Sequence, residues 1–295
     1  MSIPTRFDQV LATALTLPFT AADKFILFSD CHRGDNGWAD DFARNQQLFF
    51  HALRYYYAAG FTYIELGDGE ELWENRAFET IRQAHSHIYW LLHRFYAEGR
   101  FYMLVGNHNI CWRALHNVRR DLDSYYNERE QKRLPLFPNI TVHEGLILRY
   151  TETGDRWFLL HGHQGDLLAE RCWPVARFFA RRVWRYLQLI GVPDPTSPAQ
   201  NSHKRRKFER AVAAWARAHE LPVICGHTHR PALPKPGGAL YFNAGSCVHP
   251  RCITGLEIMG GQILLVKWWL APNLEGLLGV TREELDGPYP LTAYF

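Results

Sequence analysis

The strongest constraint on the fold is a repeated unit in which a short apolar run ends in Asp, Asn or His. Residues 24–29, 61–66 and 101–105 are such runs, and helical patterns over residues 41–59 and 76–98 separate them. This alternation predicts an α/β protein with a largely parallel or mixed sheet. Ligands of such sheets lie outside the carboxyl ends of the strands, which is where this chain places its polar residues.

The pattern returns in the C-terminal half, where residues 156–160 and 221–225 are apolar runs that end in histidine-containing motifs. The other predicted elements are helices over residues 5–17, 173–190 and 204–219, a helix and loop over 112–136, and strands over 140–150 and 239–269. The pair Gly260-Gly261 predicts a tight hairpin turn.

Five strand ends therefore carry candidate functional residues. In chain order they are Asp30-x-His32, Gly67-Asp68, Gly106-Asn107-His108, His161-Gly162-His163 and Gly226-His227-x-His229. Oxygen and nitrogen ligands mixed in this way suit Mn²⁺, Fe or Zn²⁺, whereas a thiolate-rich site would indicate structural zinc. There are more candidate ligands than one ion needs, and two ions that share a bridging carboxylate account for the surplus.

Each of these residues also has a purely structural interpretation. Asp68 follows a strand, and Asp favours turns. Asn107 could be the N-cap of the next helix. These interpretations would have to hold together at five strand ends, which favours a functional site.

Composition limits the class of protein. The chain has 295 residues, 47% of them hydrophobic, which is enough for a sizeable core. Six cysteines without a C-x-x-C pair indicate a reducing compartment. The N-terminus does not resemble a secretion signal, and no apolar run is long enough to span a membrane. We therefore expect a cytoplasmic protein.

Positive charge is concentrated in one segment. Residues 164–220 carry eleven Lys and Arg against five Asp and Glu, a net +6, whereas the whole chain is +3. Such a helical basic insertion suggests an anionic substrate, or peripheral contact with the inner face of a membrane. The alternative is a solvated helix face. The low overall charge disfavours a nucleic-acid partner.

The five motifs in this order resemble the calcineurin-like metallophosphoesterase superfamily, whose pattern is D-x-H, GD, GNH, H and GH-x-H. The resemblance runs from about residue 24 to residue 269. It implies a four-layer αββα sandwich of two mixed β-sheets, formed by one domain over residues 1–295 with residues 164–220 inserted in it.

The resemblance also implies roles for individual residues. One metal would be held by Asp30, His32 and His229, the other by Asn107, His161 and His227, and Asp68 would bridge the two. His108 would be catalytic rather than a ligand, and would protonate the leaving oxygen or stabilise the transition state. The metals would be two divalent ions, with Mn²⁺ favoured over Fe or Zn²⁺.

A narrower resemblance is to the UDP-2,3-diacylglucosamine pyrophosphohydrolases of lipid A synthesis. Members follow GD with acidic and apolar residues, as in GDGEELWE at 67–74, and carry helices before GHTHRP, which stands here at 226–231. There the insertion is a lid that holds acyl chains. The resemblance implies a phosphorylated small-molecule or lipid-linked substrate.

This chain departs from the family pattern in the third motif, where Asn109 stands in place of an aspartate that supports the catalytic histidine. Three other expectations concern neighbouring positions. Cys31 is expected to be a small buried hydrophobe, and His163 to contact substrate or a metal ligand. The acids Glu70, Glu71 and Glu74 are expected to be solvated at a helix start, although one could orient a ligand histidine.

The expected function is metal-dependent hydrolysis of a phosphodiester or pyrophosphate bond by a hydroxide shared between two metals. The alternatives within enzymes are a phosphomonoesterase, including a protein phosphatase, and a cyclic-nucleotide or nucleic-acid phosphodiesterase. Outside enzymes, the fold could be a non-catalytic interaction scaffold. The presence of all seven expected ligands disfavours the scaffold.

Overall fold

The structure is a computed structural model that describes residues 2–166, 170, 177, 202–272 and 276–295. The helix predicted over residues 173–190 lies, apart from residue 177, outside the described residues. Among the helices of the described ranges, none is long and apolar enough to cross a membrane.

Helices and strands alternate through the first half of the chain, and strands dominate its end. The helices are α1 (Ile3–Thr13), α2 (Gln46–Ala58), α3 (Phe78–Ala84), α4 (Ser86–Ala97), α5 (Leu115–Leu122) and α6 (Ser202–Ala218), with 3-10 turns at Asp41–Arg44, Ile110–Arg113 and Leu291–Tyr294. The strands are β1 (Leu15–Phe19), β2 (Phe25–Phe28), β3 (Thr62–Glu65), β4 (Phe101–Leu104), β5 (Ser124–Asn127), β6 (Lys132–Pro135), β7 (Val142–His143), β8 (Gly145–Tyr150), β9 (Arg156–Leu160), β10 (Val223–Cys225), β11 (Tyr241–Asn243), β12 (Cys252–Met259), β13 (Gln262–Pro272) and β14 (Leu278–Pro290).

Two mixed sheets contain all of these strands except β5 and β6, which form a separate hairpin. The larger has seven strands in the order β14-β13-β12-β2-β3-β4-β7, and the smaller has five in the order β1-β8-β9-β10-β11. In the larger sheet β2, β3 and β4 are parallel neighbours. In the smaller sheet β9 and β10 are parallel neighbours. The two mixed sheets of the predicted sandwich are thus present.

Three apolar cores separate four layers. One core packs α2 and α4 against the larger sheet, through side chains such as Phe49, Leu92 and Met103. The second lies between the sheets, and the third packs α1 and α6 on the smaller sheet, with Trp215 at its centre. This order of layers confirms the four-layer αββα sandwich.

The N-terminal prediction was wrong at its end. The helix predicted over residues 5–17 ends at Thr13, and residues 15–19 form β1 instead. β1 pairs in parallel with β8 at the edge of the smaller sheet. An edge strand tolerates Pro18, because a missing backbone N–H does no harm on the unpaired side.

Two further predicted elements are interrupted. The helix predicted over residues 76–98 breaks at His85, whose fully buried ring lies 3.0 Å from the Asp40 carboxylate and whose backbone leaves the helical region. The strand predicted over residues 140–150 divides into β7 in the larger sheet and β8 in the smaller one. In both cases a tertiary contact overrides a continuous local pattern.

The C-terminal prediction is confirmed at the hairpin. β12 and β13 pair antiparallel with Met259 opposite Gln262, so the loop between them consists of Gly260 and Gly261. Both glycines have positive φ, 60° and 69°, as a type I′ turn requires. The segment 112–136, predicted as a helix and loop, contains α5 and also the β5–β6 hairpin.

Within the predicted insertion at 164–220, the predicted helix 204–219 is present as α6. Its side chains Val212, Trp215 and Ala216 are buried against the smaller sheet. Its first half reaches the sheet edge, where the Phe208 ring lies 5.8 Å from the His227 ring. α6 is therefore part of the outer helical layer, with one end beside the strand-end motifs.

Candidate metal centre

The carboxyl ends of both sheets meet at one edge of the sandwich. The larger sheet delivers its motifs from the ends of β2, β3 and β4, and the smaller sheet delivers its motifs from the ends of β9 and β10. Parallel neighbours end at the same edge, so motifs that are distant in sequence lie close together. All the residues of the sequence-predicted site are brought to this edge.

The strand-end loops are joined to one another by backbone hydrogen bonds. The Asp30 N–H donates to Gly67 O at 3.2 Å, and the His32 N–H donates to Asp68 O at 2.8 Å. The Gly226 N–H donates to His161 O at 2.9 Å. These bonds fix the distance between neighbouring loops, so the side chains sit on a rigid frame.

The backbone at the candidate ligands is strained. Nine non-glycine residues of the described chain have positive φ, and five of them are candidate ligands. These five are Asp30 (53°), His32 (49°), Asp68 (49°), His227 (65°) and His229 (56°). Such conformations cost about 1–3 kcal/mol each and concentrate at functional sites. The strain supports a functional rather than a structural reason for these residues.

The first group of candidate ligands consists of Asp30, His32 and His229, whose ligand atoms all lie within 4.8 Å of one another. The Nε2 atoms of His32 and His229 are 3.3 Å apart. Asp30 Oδ1 lies 3.0 Å from His229 Nε2 and 3.7 Å from His32 Nε2. One cation could contact all three.

The second group consists of Asp68, His161 and His227, with the same mutual spacing. His161 Nε2 lies 3.1 Å from Asp68 Oδ2 and 3.3 Å from Asn107 Oδ1. Asp68 Oδ2 is also 3.9 Å from His32 Nε2, a member of the first group. Asp68 therefore faces both groups. Asn107 is not a helix N-cap, because the 3-10 turn that follows begins after Asn109.

Three candidate ligands, Asp30, Asp68 and His161, are each held by the polar atom that does not face the centre. The backbone N–H of His227 donates to Asp30 Oδ2 at 2.9 Å, and that of His108 donates to Asp68 Oδ1 at 2.8 Å. His161 Nδ1 lies 2.9 Å from Leu66 O. Asp30 Oδ1 is buried and accepts no hydrogen bond from the described part of the chain. Ligands oriented in this way fit a bound metal.

Two motifs need glycine because a neighbouring loop approaches their backbone closely. A Cβ on Gly106 would lie 2.0 Å from Asp68 Oδ1, and one on Gly226 would lie 2.5 Å from Asp30 Oδ2. Both distances are far below a normal contact. The glycines therefore allow neighbouring loops to pack directly on the two candidate carboxylates.

The pKa shifts agree with a site built for cations. Burial opposes the charged form of Asp30, but His229 and His161 hold the pKa of its carboxyl well below the usual range. Burial, together with the nearby His161, lowers the pKa of His227 to about 4. A neutral imidazole at pH 7 has a lone pair available for a metal.

His108 lies at the open side of the centre. Its ring stacks on Trp73 with centroids 4.4 Å apart, and its Nδ1 lies 2.6 Å from Glu71 Oε2. The same oxygen is 3.0 Å from His32 Nδ1. Burial alone would raise the pKa of Glu71, but His108 and His32 lower it to about 2. The expectation that Glu70 and Glu71 are solvated at a helix start was wrong, since both are buried outside any helix.

The hydrogen bonds described for the Asn109 side chain go to residues other than His108. Its Oδ1 accepts from the Gly106 N–H at 2.7 Å, and its Nδ2 donates to Glu70 Oε2 at 3.2 Å. Glu70 in turn pairs with the fully buried Arg33, whose Nη2 also contacts Glu65 at 2.7 Å. Asn109 thus joins the third motif to a buried charge cluster beneath the site.

Sequence reasoning missed Arg33 and Asn243 as parts of this region, and it named Glu71 only as one of three acids that could orient a ligand histidine. Asn243 is fully buried, and its Nδ2 donates to Gly226 O at 2.7 Å and to Thr228 Oγ1 at 3.1 Å. It therefore holds the loop that carries the last two histidines. The signal was present, because Asn243 ends the strand β11 as the other site residues end theirs.

The two remaining sequence expectations concern Cys31 and His163. Cys31 is fully buried in the core under the larger sheet, as expected. His163 is fully buried, with its ring 5.5 Å from that of the candidate ligand His161. Its Nε2 lies 3.2 Å from Arg113 Nη2. Burial and the nearby His161 hold its pKa well below the usual range.

Fold and site together define an αββα sandwich with clustered candidate metal ligands. No family model matches the sequence, and no curated protein matches it significantly. Among solved structures, Vps29 of Chaetomium thermophilum is 9% identical with a TM-score of 0.40, covering 90% of this chain and 96% of that one. A point mutant of a cold-active protein tyrosine phosphatase is 12% identical with a TM-score of 0.44, covering 92% and 83%. At these TM-scores neither likeness carries an argument.

Proposed function

We propose that this chain is a calcineurin-like metallophosphoesterase that uses two divalent metal ions, with Mn²⁺ favoured, to hydrolyse a phosphodiester or pyrophosphate bond. The observation that carries the proposal is the arrangement of two groups of candidate ligands about Asp68. Asp30, His32 and His229 would hold one ion, while Asn107, His161 and His227 would hold the other. The oriented carboxylates and imidazoles and the strained backbone support it.

The residues of the chain would divide the chemistry between them. When bound, two divalent cations would neutralise phosphoryl oxygens and make hydroxide available near neutral pH. Asp68 would hold the two halves of the site at a fixed distance. His108, at the open side, would donate a proton from Nε2 to the departing oxygen.

The first prediction concerns metal dependence. We expect the purified protein to hydrolyse bis(p-nitrophenyl) phosphate with Mn²⁺, and chelation followed by buffer exchange to lower the rate at least about 10²-fold. Readdition of Mn²⁺ should restore it. Release of p-nitrophenolate is the measurement, with Mn²⁺ in protein-free buffer as control. Turnover that persists after the metal has been shown to be removed would exclude the proposed chemistry.

A nucleotide-sugar-like or lipid-linked pyrophosphate is the substrate class we propose. The support is charge at the start of α6, where Arg206 and Lys207 are exposed next to Phe208. Phe208 itself packs against His227, so this basic turn lies beside the metal centre. A second phosphate of a pyrophosphate would be attracted to it.

The second prediction tests this placement. In the double variant Arg206→Glu, Lys207→Glu we expect KM for UDP-glucose to rise about tenfold more than KM for bis(p-nitrophenyl) phosphate. The difference should shrink in high salt, because salt screens exposed charges. The matched control is Arg129→Glu, Lys132→Glu, at two exposed residues of the β5–β6 hairpin. Equal changes of KM for both substrates would argue against a second phosphate at α6.

A further inference from the structure

We infer that Glu71 is the residue that positions His108, and that it does so from a carboxylate oxygen shared with the candidate metal ligand His32. The inference rests on the proposed function. In the family pattern an aspartate at the position of Asn109 supports the catalytic histidine. Here we assign that support to Glu71, which follows the second motif.

The shared carboxylate is the central observation. Glu71 Oε2 lies 2.6 Å from His108 Nδ1 and 3.0 Å from His32 Nδ1. The rings of His32 and His108 pack edge to face with centroids 4.5 Å apart. One oxygen atom thus holds two imidazoles side by side, and the Trp73 ring covers the outer face of His108.

Glu71 is itself held in place. Its other oxygen, Oε1, accepts from the backbone N–H groups of Trp73 at 3.2 Å and Glu74 at 3.3 Å. Its own N–H donates to Arg33 O at 3.0 Å, and its carbonyl accepts from Asn75 Nδ2 at 3.0 Å. Two hydrogen bonds hold the carboxylate and two hold the backbone of Glu71, so its side chain can define the orientation of its partners.

The chemical consequence follows from what a carboxylate can do. An ionised carboxylate only accepts hydrogen bonds, so His32 Nδ1 must donate to it. His108 Nδ1 lies 2.6 Å from the same oxygen in a close contact that lacks hydrogen-bond geometry. His32 then presents the Nε2 lone pair toward Asp30 and His229, as a metal ligand must. His108 presents Nε2 on its open side, where a departing oxygen would take the proton. Asn109 cannot serve His108 in this way, because its amide is bonded to Gly106 and Glu70.

The test compares two diesters that need the leaving-group proton to different degrees. With Mn²⁺, Glu71→Gln should lower kcat about 10- to 100-fold for methyl phenyl phosphate, but only a fewfold for methyl p-nitrophenyl phosphate, whose leaving group is stable without a proton. KM should change little for either. At Mn²⁺ concentrations that saturate both sites, Glu71→Gln in the His108→Ala background should cause no further loss with the phenyl ester, because the two residues act as a unit. Equal losses for both esters would overturn the role.

A second readout does not depend on turnover. Calorimetric titration of metal-free protein with Mn²⁺ should show one of two sites weakened about 10- to 100-fold in Glu71→Ala, because His32 loses its anchor. Glu130→Gln and Glu130→Ala, at an exposed carboxylate on the β5–β6 turn, are the matched controls. Unchanged Mn²⁺ affinity in Glu71→Ala would overturn the anchoring of His32. A wild-type protein that binds Mn²⁺ but cleaves neither ester would instead refute the proposed function.

Discussion

Replacing Asp68 with alanine should abolish phosphodiester hydrolysis, with a fall in kcat of at least about 10³-fold. The reason is the position of its Oδ2, 3.1 Å from His161 Nε2 and 3.9 Å from His32 Nε2, between the two groups of candidate ligands. The other oxygen is bound by the His108 N–H at 2.8 Å. Removing this carboxylate would take a ligand from both ions and free the loop that carries His108.

The measurement is Mn²⁺-dependent release of p-nitrophenolate, together with metal content of the purified variant. Asp68→Asn keeps the shape and removes the charge, so it should lie between wild type and alanine. Asn107→Ala should also lose activity, through the second group alone. Asp23→Ala, at an exposed turn before β2, is the control and should match wild type. Activity that survives in Asp68→Ala would refute the site assignment and favour the interaction scaffold.

Replacing Arg33 with methionine should destabilise the protein by about 3–5 kcal/mol. Its guanidinium is fully buried and contacts both Glu65 and Glu70 at 2.7 Å. The two carboxylates are also buried, and they accept hydrogen bonds from Tyr63 and Tyr89. Without Arg33 they would remain as uncompensated charges in a region of low dielectric constant, which is costly.

Urea denaturation followed by circular dichroism measures this loss. The double variant Arg33→Met, Glu70→Gln should recover part of it, because one buried charge is removed with its partner. Arg156→Met, at the exposed start of β9, is the control and should stay within about 0.5 kcal/mol of wild type. A loss below about 1 kcal/mol in Arg33→Met would mean that the cluster beneath the site does not depend on Arg33.

Much of the candidate site was predictable because its signal is local. Each of the five motifs is a strand followed at once by Asp, Asn or His, and parallel strands bring their ends together. The αββα sandwich followed from the family resemblance that these motifs carry. The glycines before Asp68, Asn107 and His227 were visible as turn residues, although their real constraint is the atom they would otherwise strike.

The errors in the fold share one cause. Residues 15–17 were assigned to the end of a helix, residues 76–98 to one helix and residues 140–150 to one strand. Each of these patterns is continuous in sequence but is divided by contacts with residues that are distant in sequence. β1 pairs with β8, His85 contacts Asp40, and β7 and β8 join different sheets. Local periodicity does not contain such partners.

The sequence by itself determined which residues can bind metal and the order in which they occur, because residue type and strand-end position are local properties. Only the tertiary structure decided what supports them. Glu71 contacts His108 and His32, and Asn109 forms hydrogen bonds with Gly106 and Glu70, because loops from different strands pack within hydrogen-bonding distance. That choice among several nearby acids depends on distances of a few tenths of an ångström, which only packed backbone and side chains set.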